Sequence, residues 1–268
     1  MNMVLGVFKT RELFGMFFLS IIFVLPPLLA EVLFGGAKPS TIWYIRVIDV
    51  IDITVMTLVY IAIFMYFQYI SIEKMGNKKL SIAYQLLFAL FIGGHFMHFA
   101  TNAIDTYMYE VAGYEAGVDI PRDVADLIYF LDEDLSHYLM FTALFTIWVI
   151  VTVARIFVMT KSSSSNTIGI IDRILIFLTS LIFGVAFAIA TIEAKKAYLG
   201  IGLILISTAI IITFTCVIKQ NILNIMKNDS VVAILLLSLI MALFIYIAYY
   251  AAFGSFIEPS EILREHSY

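Results

Sequence analysis

Long apolar runs separated by short polar connections dominate the chain. Seven uncharged stretches of eighteen residues or more lie at 13–30, 53–72, 80–104, 135–154, 174–192, 197–218 and 230–257. About 20 apolar residues, rising by about 1.5 Å each in an α-helix, cross the hydrocarbon core of a bilayer. The pattern therefore predicts an all-α fold: a polytopic membrane protein with a seven-transmembrane-helix bundle, which forms a single domain over residues 1–268.

The first run differs from the others because it contains Pro26 and Pro27. Proline removes a backbone donor and kinks a helix, and transmembrane helices tolerate such kinks. The run is also longer than the apolar core of about 7–15 residues that is typical of a signal peptide. We interpret it as a retained first helix that is kinked at the two prolines.

Basic residues in the connections predict the orientation of the bundle. With a cytoplasmic N-terminus, ten Lys and Arg residues lie on the inner side and six on the outer side. The positive-inside rule then favours N-in, C-out. The connection 105–126 becomes an acidic extracytoplasmic loop, and Pro121 is expected to break it just before the fourth helix begins. Its acids are Asp105, Glu110, Glu115, Asp119, Asp123 and Asp126.

Composition and charge indicate the environment of the protein and the classes of partner that it can bind. Hydrophobic residues make up 62% of the chain and charged residues 13%, against about 25% charged residues in soluble domains. These values indicate a multi-pass protein of the cell membrane, with membrane lipids around it. The net charge is −4 and no basic cluster is present, which argues against a nucleic-acid partner.

Three of the four histidines lie within apolar runs. His95 and His98 share one face of the third helix with Asn102 and Asp105, because each residue turns by about 100°. Polar groups at this depth usually face the interior of a bundle or a cavity. We therefore expect a functional site on this face.

The fourth helix carries a matching set near its start. Asp126, Glu133 and His137 share one of its faces, whereas Asp132 is expected to point elsewhere and Asp134 to lie at the margin. The third and fourth helices run in opposite directions, so both sets should meet near the outer leaflet.

Imidazoles and carboxylates at such spacings are ligands of divalent metals, zinc above all. His95, His98 and His137 are the predicted metal ligands. Metal-bound water could lose a proton to Glu133 or Asp134, the predicted catalytic residues. This chemistry favours a metal-dependent hydrolase whose substrate is a lipid amide or ester.

Two other functions fit the same residues. Intramembrane histidines and carboxylates can form the pathway of a metal-ion or proton transporter. The chain could also be a non-catalytic subunit of a membrane complex that docks through its acidic loop. The inner ends of the helices carry Lys and Arg without a comparable cluster, which favours the enzyme over a transporter.

Two further groups of residues are expected to be structural. Carboxylates at helix ends cost little when they are solvated, and this is the expected state of Glu31, Asp49, Asp52 and Glu193. Ser180, Gly184 and Ala188, spaced by four in the fifth helix, should let another helix approach closely.

Overall fold

Six long apolar helices form most of the structure, a computed structural model that describes residues 12–25, 29, 41–42, 45–160 and 168–258. Among these residues, six helices are long and apolar enough to cross a membrane, which confirms the all-α prediction and makes six of the seven runs candidate membrane spans. A shorter apolar helix, α1, covers Glu12–Leu25. The six are α2 Asp49–Met75, α3 Lys78–Val111, α4 Arg122–Thr160, α5 Ile170–Glu193, α6 Ala197–Val217 and α8 Ser230–Phe253, and a short helix α7, Ile222–Asn228, precedes the last of them.

The first predicted span is described only in part. Helix α1 ends at Leu25, and Pro26 and Pro27 lie outside the described residues. The count of seven spans, the proline kink and the orientation therefore stay predictions.

Helices α3 and α4 extend well beyond the apolar runs that predicted them. Helix α3 continues to Val111, and α4 begins at Arg122, directly after Pro121 as expected. The loop between them is thus 112–121 rather than 105–126. Charged residues ended the apolar runs, but they do not interrupt backbone hydrogen bonding, so the helices continue through them.

Four π-helical turns occur within the long helices of the described part of the chain. They are Asp52–Met56 and Gln68–Ile72 in α2, Thr106–Val111 at the end of α3, and Phe130–Ser136 in α4. A π-helical turn holds more residues than an α-helical turn, and such turns are frequent at functional sites. Each one shifts the angular register of the residues that follow it.

The chain divides into two compact units. The first unit comprises 1–21, 65–85 and 145–268, and the second comprises 22–64 and 86–144. The second unit also contains a small antiparallel hairpin before α2, with strands β1 Thr41–Ile42 and β2 Ile45–Arg46.

The core of the first unit forms where α5 packs against α8. Ser180 and Ala188 are fully buried, and a methyl group on Gly184 would come within 2.6 Å of Met241 Cβ and 2.7 Å of the Ser238 carbonyl. Small side chains allow this close approach. The expected packing role of Ser180, Gly184 and Ala188 is confirmed.

Candidate functional site

The polar faces of α3 and α4 meet in the second unit, as the sequence predicted. Together with a carboxylate from α2 they form a connected set of side chains, which we call the histidine–carboxylate network. All its members lie within helices that are long and apolar enough to span a membrane. The members are Asp52, His95, His98, Thr101, Asn102, Asp132, Glu133 and His137.

His98 and Asp132 form the closest pair of the network. Nδ1 of His98 lies 2.7 Å from Oδ1 of Asp132, although the oxygen is off the N–H direction, so the two groups are in close contact without an aligned hydrogen bond. Thr101 Oγ1 lies 2.9 Å from the same carboxylate oxygen. The Asn102 amide lies 3.3 Å from the other ring nitrogen of His98, Nε2. The two ring nitrogens of His98 therefore face two different partners.

The position of Asp132 corrects the sequence analysis. A uniform turn of about 100° per residue placed it away from the polar face of α4. In the structure Asp132 lies in the π-helical turn Phe130–Ser136, is 7% exposed and contacts α3. The wider turn changes the angular register, and this brings Asp132 to His98.

Close approach of the two helices accompanies this contact. Gly94 of α3 faces the backbone of α4, and a methyl group on it would lie 2.9 Å from the Ser136 carbonyl oxygen. Ser136 is the last residue of the π-helical turn that holds Asp132. A glycine at this position therefore helps to bring the histidine face of α3 to the carboxylates of α4.

His95 joins the network through α2. It is 2% exposed, with Nε2 at 3.3 Å from the carbonyl oxygen of Asp52 and Nδ1 at 3.7 Å from the Asp52 carboxylate. The ring of Tyr60 meets His95 edge-on at 5.0 Å. Asp52 was expected to be a solvated helix end, but it lies beside a buried imidazole.

His137 and Glu133 form the third pair. Nδ1 of His137 donates to the Glu133 carbonyl at 2.8 Å and lies 3.8 Å from its carboxylate. The His137 ring stacks on Phe141 and lies 4.8 Å from the His98 ring, centre to centre. Asp134, the other predicted catalytic acid, is half-buried in the same π-helical turn.

The three predicted metal ligands do not form a metal-ligand set in the structure. Within the described ranges, no group of three or more His, Cys, Asp or Glu side chains is arranged to hold a metal ion. Both ring nitrogens of His95 face Asp52, and those of His98 face Asp132 and Asn102. Catalytic zinc sites use three protein ligands. In this arrangement the ring nitrogens of His95 and His98 face protein partners and are not directed at a common ion.

Asp49 also differs from its expected state. It is 6% exposed and forms a two-pronged ion pair with Arg46, at 2.9 and 3.2 Å. Burial alone would lower the pKa of Arg46, but the hydrogen bond and the charge of Asp49 raise it overall. Glu110 and Asp105 add to that rise. Asp49 is therefore a paired group rather than a solvated one.

A buried ionic cluster in the first unit was missed by the sequence analysis, which expected no cluster at these helix ends. Arg155 lies 2.8 Å from Asp229 and 3.4 Å from Glu12, and it donates to the Ile70 carbonyl at 2.8 Å. Lys74 lies 2.6 Å from Glu12. These residues come from distant parts of the chain, so no local spacing could indicate their contact.

The histidine–carboxylate network has the chemistry of an ion or proton pathway. It contains imidazoles that can gain or lose a proton, carboxylates within reach of them, and a hydroxyl and an amide that join the groups. Aromatic rings of Tyr60 and Phe141 line it.

The chain matches no protein-family model, no curated protein and no solved structure.

Proposed function

We propose that this protein is a cation transporter of the cell membrane, which carries protons or metal ions through the histidine–carboxylate network. The observation that carries the proposal is the pairing of all three intramembrane histidines with carboxylates. Asp52, Asp132 and Glu133 are the partners of His95, His98 and His137. Ionisable groups within spans are costly, and they typically mark ion pathways or proton relays.

The arrangement of the ring nitrogens favours transport over the metal-dependent hydrolase. A hydrolytic zinc needs histidine nitrogens that are directed at one ion and an open position for water. His95 and His98 instead direct their nitrogens at protein partners. The approach of the His98 and His137 rings to 4.8 Å is the observation that supports the hydrolase. It leaves that function as the second proposal, with Glu133 or Asp134 as the group that accepts the proton of metal-bound water.

A flux measurement with purified protein tests the transport proposal. The protein is reconstituted into vesicles that contain a pH-sensitive or a metal-sensitive dye, and a membrane potential is imposed. We expect cation entry well above that of empty vesicles. Asp132→Asn should reduce the rate by about tenfold or more, the scale on which loss of a group beside an ion acts.

Asp123→Asn is the matched control. Asp123 is exposed in the first turn of α4, so its neutralisation should leave the flux unchanged. Equal flux in parent protein, Asp132→Asn and empty vesicles would rule out transport through the network. Stoichiometric zinc in the purified protein, lost in His95→Ala/His98→Ala, would then move the hydrolase to first place.

A further inference from the structure

We infer that the ion carried is a proton, that His98 and Asp132 exchange it, and that the Thr101 hydroxyl keeps Asp132 hydrogen-bonded in both of its protonation states. The inference rests on the transport function proposed above and narrows its substrate from cations to protons.

The two ring nitrogens of His98 face different partners, so that His98 can receive a proton at one nitrogen and release one from the other. The Asn102 amide donates to Nε2, which leaves the proton of neutral His98 on Nδ1, facing Asp132. An incoming proton binds Nε2 once the amide rotates and presents its oxygen. The Nδ1–H bond then breaks and an O–H bond forms on Asp132, so His98 ends neutral with its proton on Nε2, and its ring must turn over before it can pass another proton. Asp132 becomes a neutral acid until its own O–H bond breaks and the proton moves on.

Thr101 has one hydroxyl proton and three acceptors within reach. Its Oγ1 lies 2.9 Å from Asp132 Oδ1, 2.8 Å from the Met97 carbonyl and 3.0 Å from the His98 carbonyl. A hydroxyl donates once but also accepts. Ionised Asp132 therefore accepts from Thr101. Protonated Asp132 can donate to Thr101 Oγ1 while the threonine proton turns to the Met97 carbonyl.

Both protonation states of Asp132 are thus satisfied in a buried position. Asp132 is 7% exposed and Thr101 is 5% exposed. A buried polar group without a hydrogen-bond partner raises the free energy of the folded protein. A partner that suits only one protonation state of Asp132 would therefore favour that state strongly over the other. A partner that can reverse its hydrogen bond reduces that preference. A group that must gain and lose a proton repeatedly needs this property, whereas a metal ligand does not.

Further titratable groups surround the pair on every helix of the network. Asp52 of α2 and Glu133 of α4 act electrostatically on His98, and Asp132 acts on Asp105 of α3. His137 brings a second imidazole to His98, and His95 lies beside Asp52. These groups are the positions from which a proton can reach the pair or to which it can leave.

Two substitutions at Thr101 test the inference. Thr101→Val keeps the shape and removes the hydroxyl, whereas Thr101→Ser keeps the hydroxyl. Parent and variants are reconstituted into vesicles that contain a pH-sensitive dye, and a potassium gradient with valinomycin sets the potential. We expect Thr101→Val to slow proton entry by about tenfold or more, the scale on which loss of a buried hydrogen bond acts, and Thr101→Ser to retain a rate close to that of the parent. Thermal unfolding in detergent confirms that each variant is folded.

The same vesicles, loaded with a metal-sensitive dye and exposed to Zn²⁺ or Mn²⁺, separate the possible failures. Metal entry without proton entry would overturn the inference and leave the transport proposal standing. Entry of neither ion would overturn both. If protons enter, with or without metal, equal proton entry in folded Thr101→Val and in the parent overturns the inference, and loss in Thr101→Val with recovery in Thr101→Ser supports it.

Discussion

Arg155 places a full positive charge in the interior of the first unit, where three partners satisfy it. Its side chain is 8% exposed, and it reaches Asp229, which is 7% exposed, and Glu12, which is 17% exposed. The Asp229 carboxylate also accepts from the Val232 amide and so caps α8. One side chain therefore connects α1, α4 and the start of α8.

Removal of Arg155 should be far more costly than removal of its neighbour Lys74. Arg155→Met leaves the buried Asp229 carboxylate without its charged partner, whereas Glu12 keeps Lys74, and we expect a loss of about 3–5 kcal/mol in the free energy of unfolding. Lys74 is 38% exposed, so Lys74→Met should cost no more than about 1 kcal/mol. Denaturant unfolding in detergent, followed by circular dichroism, measures both. Equal losses of unfolding free energy in the two variants would show that the burial of Arg155 does not make its ion pairs more stabilising than the exposed ion pair of Lys74.

At the scale of the element, contact between α3 and α4 depends on the absence of a side chain at Gly94. A methyl group there would lie 2.9 Å from the Ser136 carbonyl and 2.9 Å from Met140 Cγ, and the carbonyl, as backbone, cannot move aside independently. Gly94→Ala should therefore destabilise the protein by about 1–3 kcal/mol, as overpacking usually does. Unfolding in detergent measures the loss.

Gly93→Ala provides the control for this prediction. A methyl group on Gly93 would meet nothing within 4 Å. The substitution should be neutral or slightly stabilising, because alanine favours the helix over glycine. A loss of stability in Gly93→Ala as large as that in Gly94→Ala would show that the effect comes from replacing a glycine in α3, not from the contact between α3 and α4.

The helical positions of the site could be predicted only as far as the helices were regular. The spacing of His95, His98 and Asn102 placed them correctly on one face of α3. The same reasoning failed for Asp132, because the π-helical turn Phe130–Ser136 alters the register of α4. Nothing in the local sequence marks that turn. Arg155 was missed for another reason: its partners Glu12 and Asp229 lie far from it in the sequence, and only the folded chain brings them near. The partner of Asp49 is Arg46, only three residues away, and the sequence analysis did not consider that local pair.

At the scale of the whole molecule, the apolar runs predicted seven spans, of which six are long helices in the described part of the chain, and charge alone predicts how they are oriented. Ten basic residues on one side and six on the other favour a cytoplasmic N-terminus. In that orientation the loop 112–121 faces the outside and the connection that contains Ser163 faces the cytoplasm.

Cysteine labelling tests this orientation. In a Cys216→Ser background, Val118→Cys and Ser163→Cys each provide a single thiol, and Val118 is 76% exposed in its loop. A membrane-impermeant maleimide should label Val118→Cys in intact cells, and Ser163→Cys only after permeabilisation. The reverse pattern would place the N-terminus outside and the histidine–carboxylate network at the cytoplasmic side. Labelling of both thiols in intact cells would contradict a membrane-spanning α4, because this helix separates the two positions along the chain. Transport would then need a different set of helices, so this experiment constrains the proposed pathway as well as the topology.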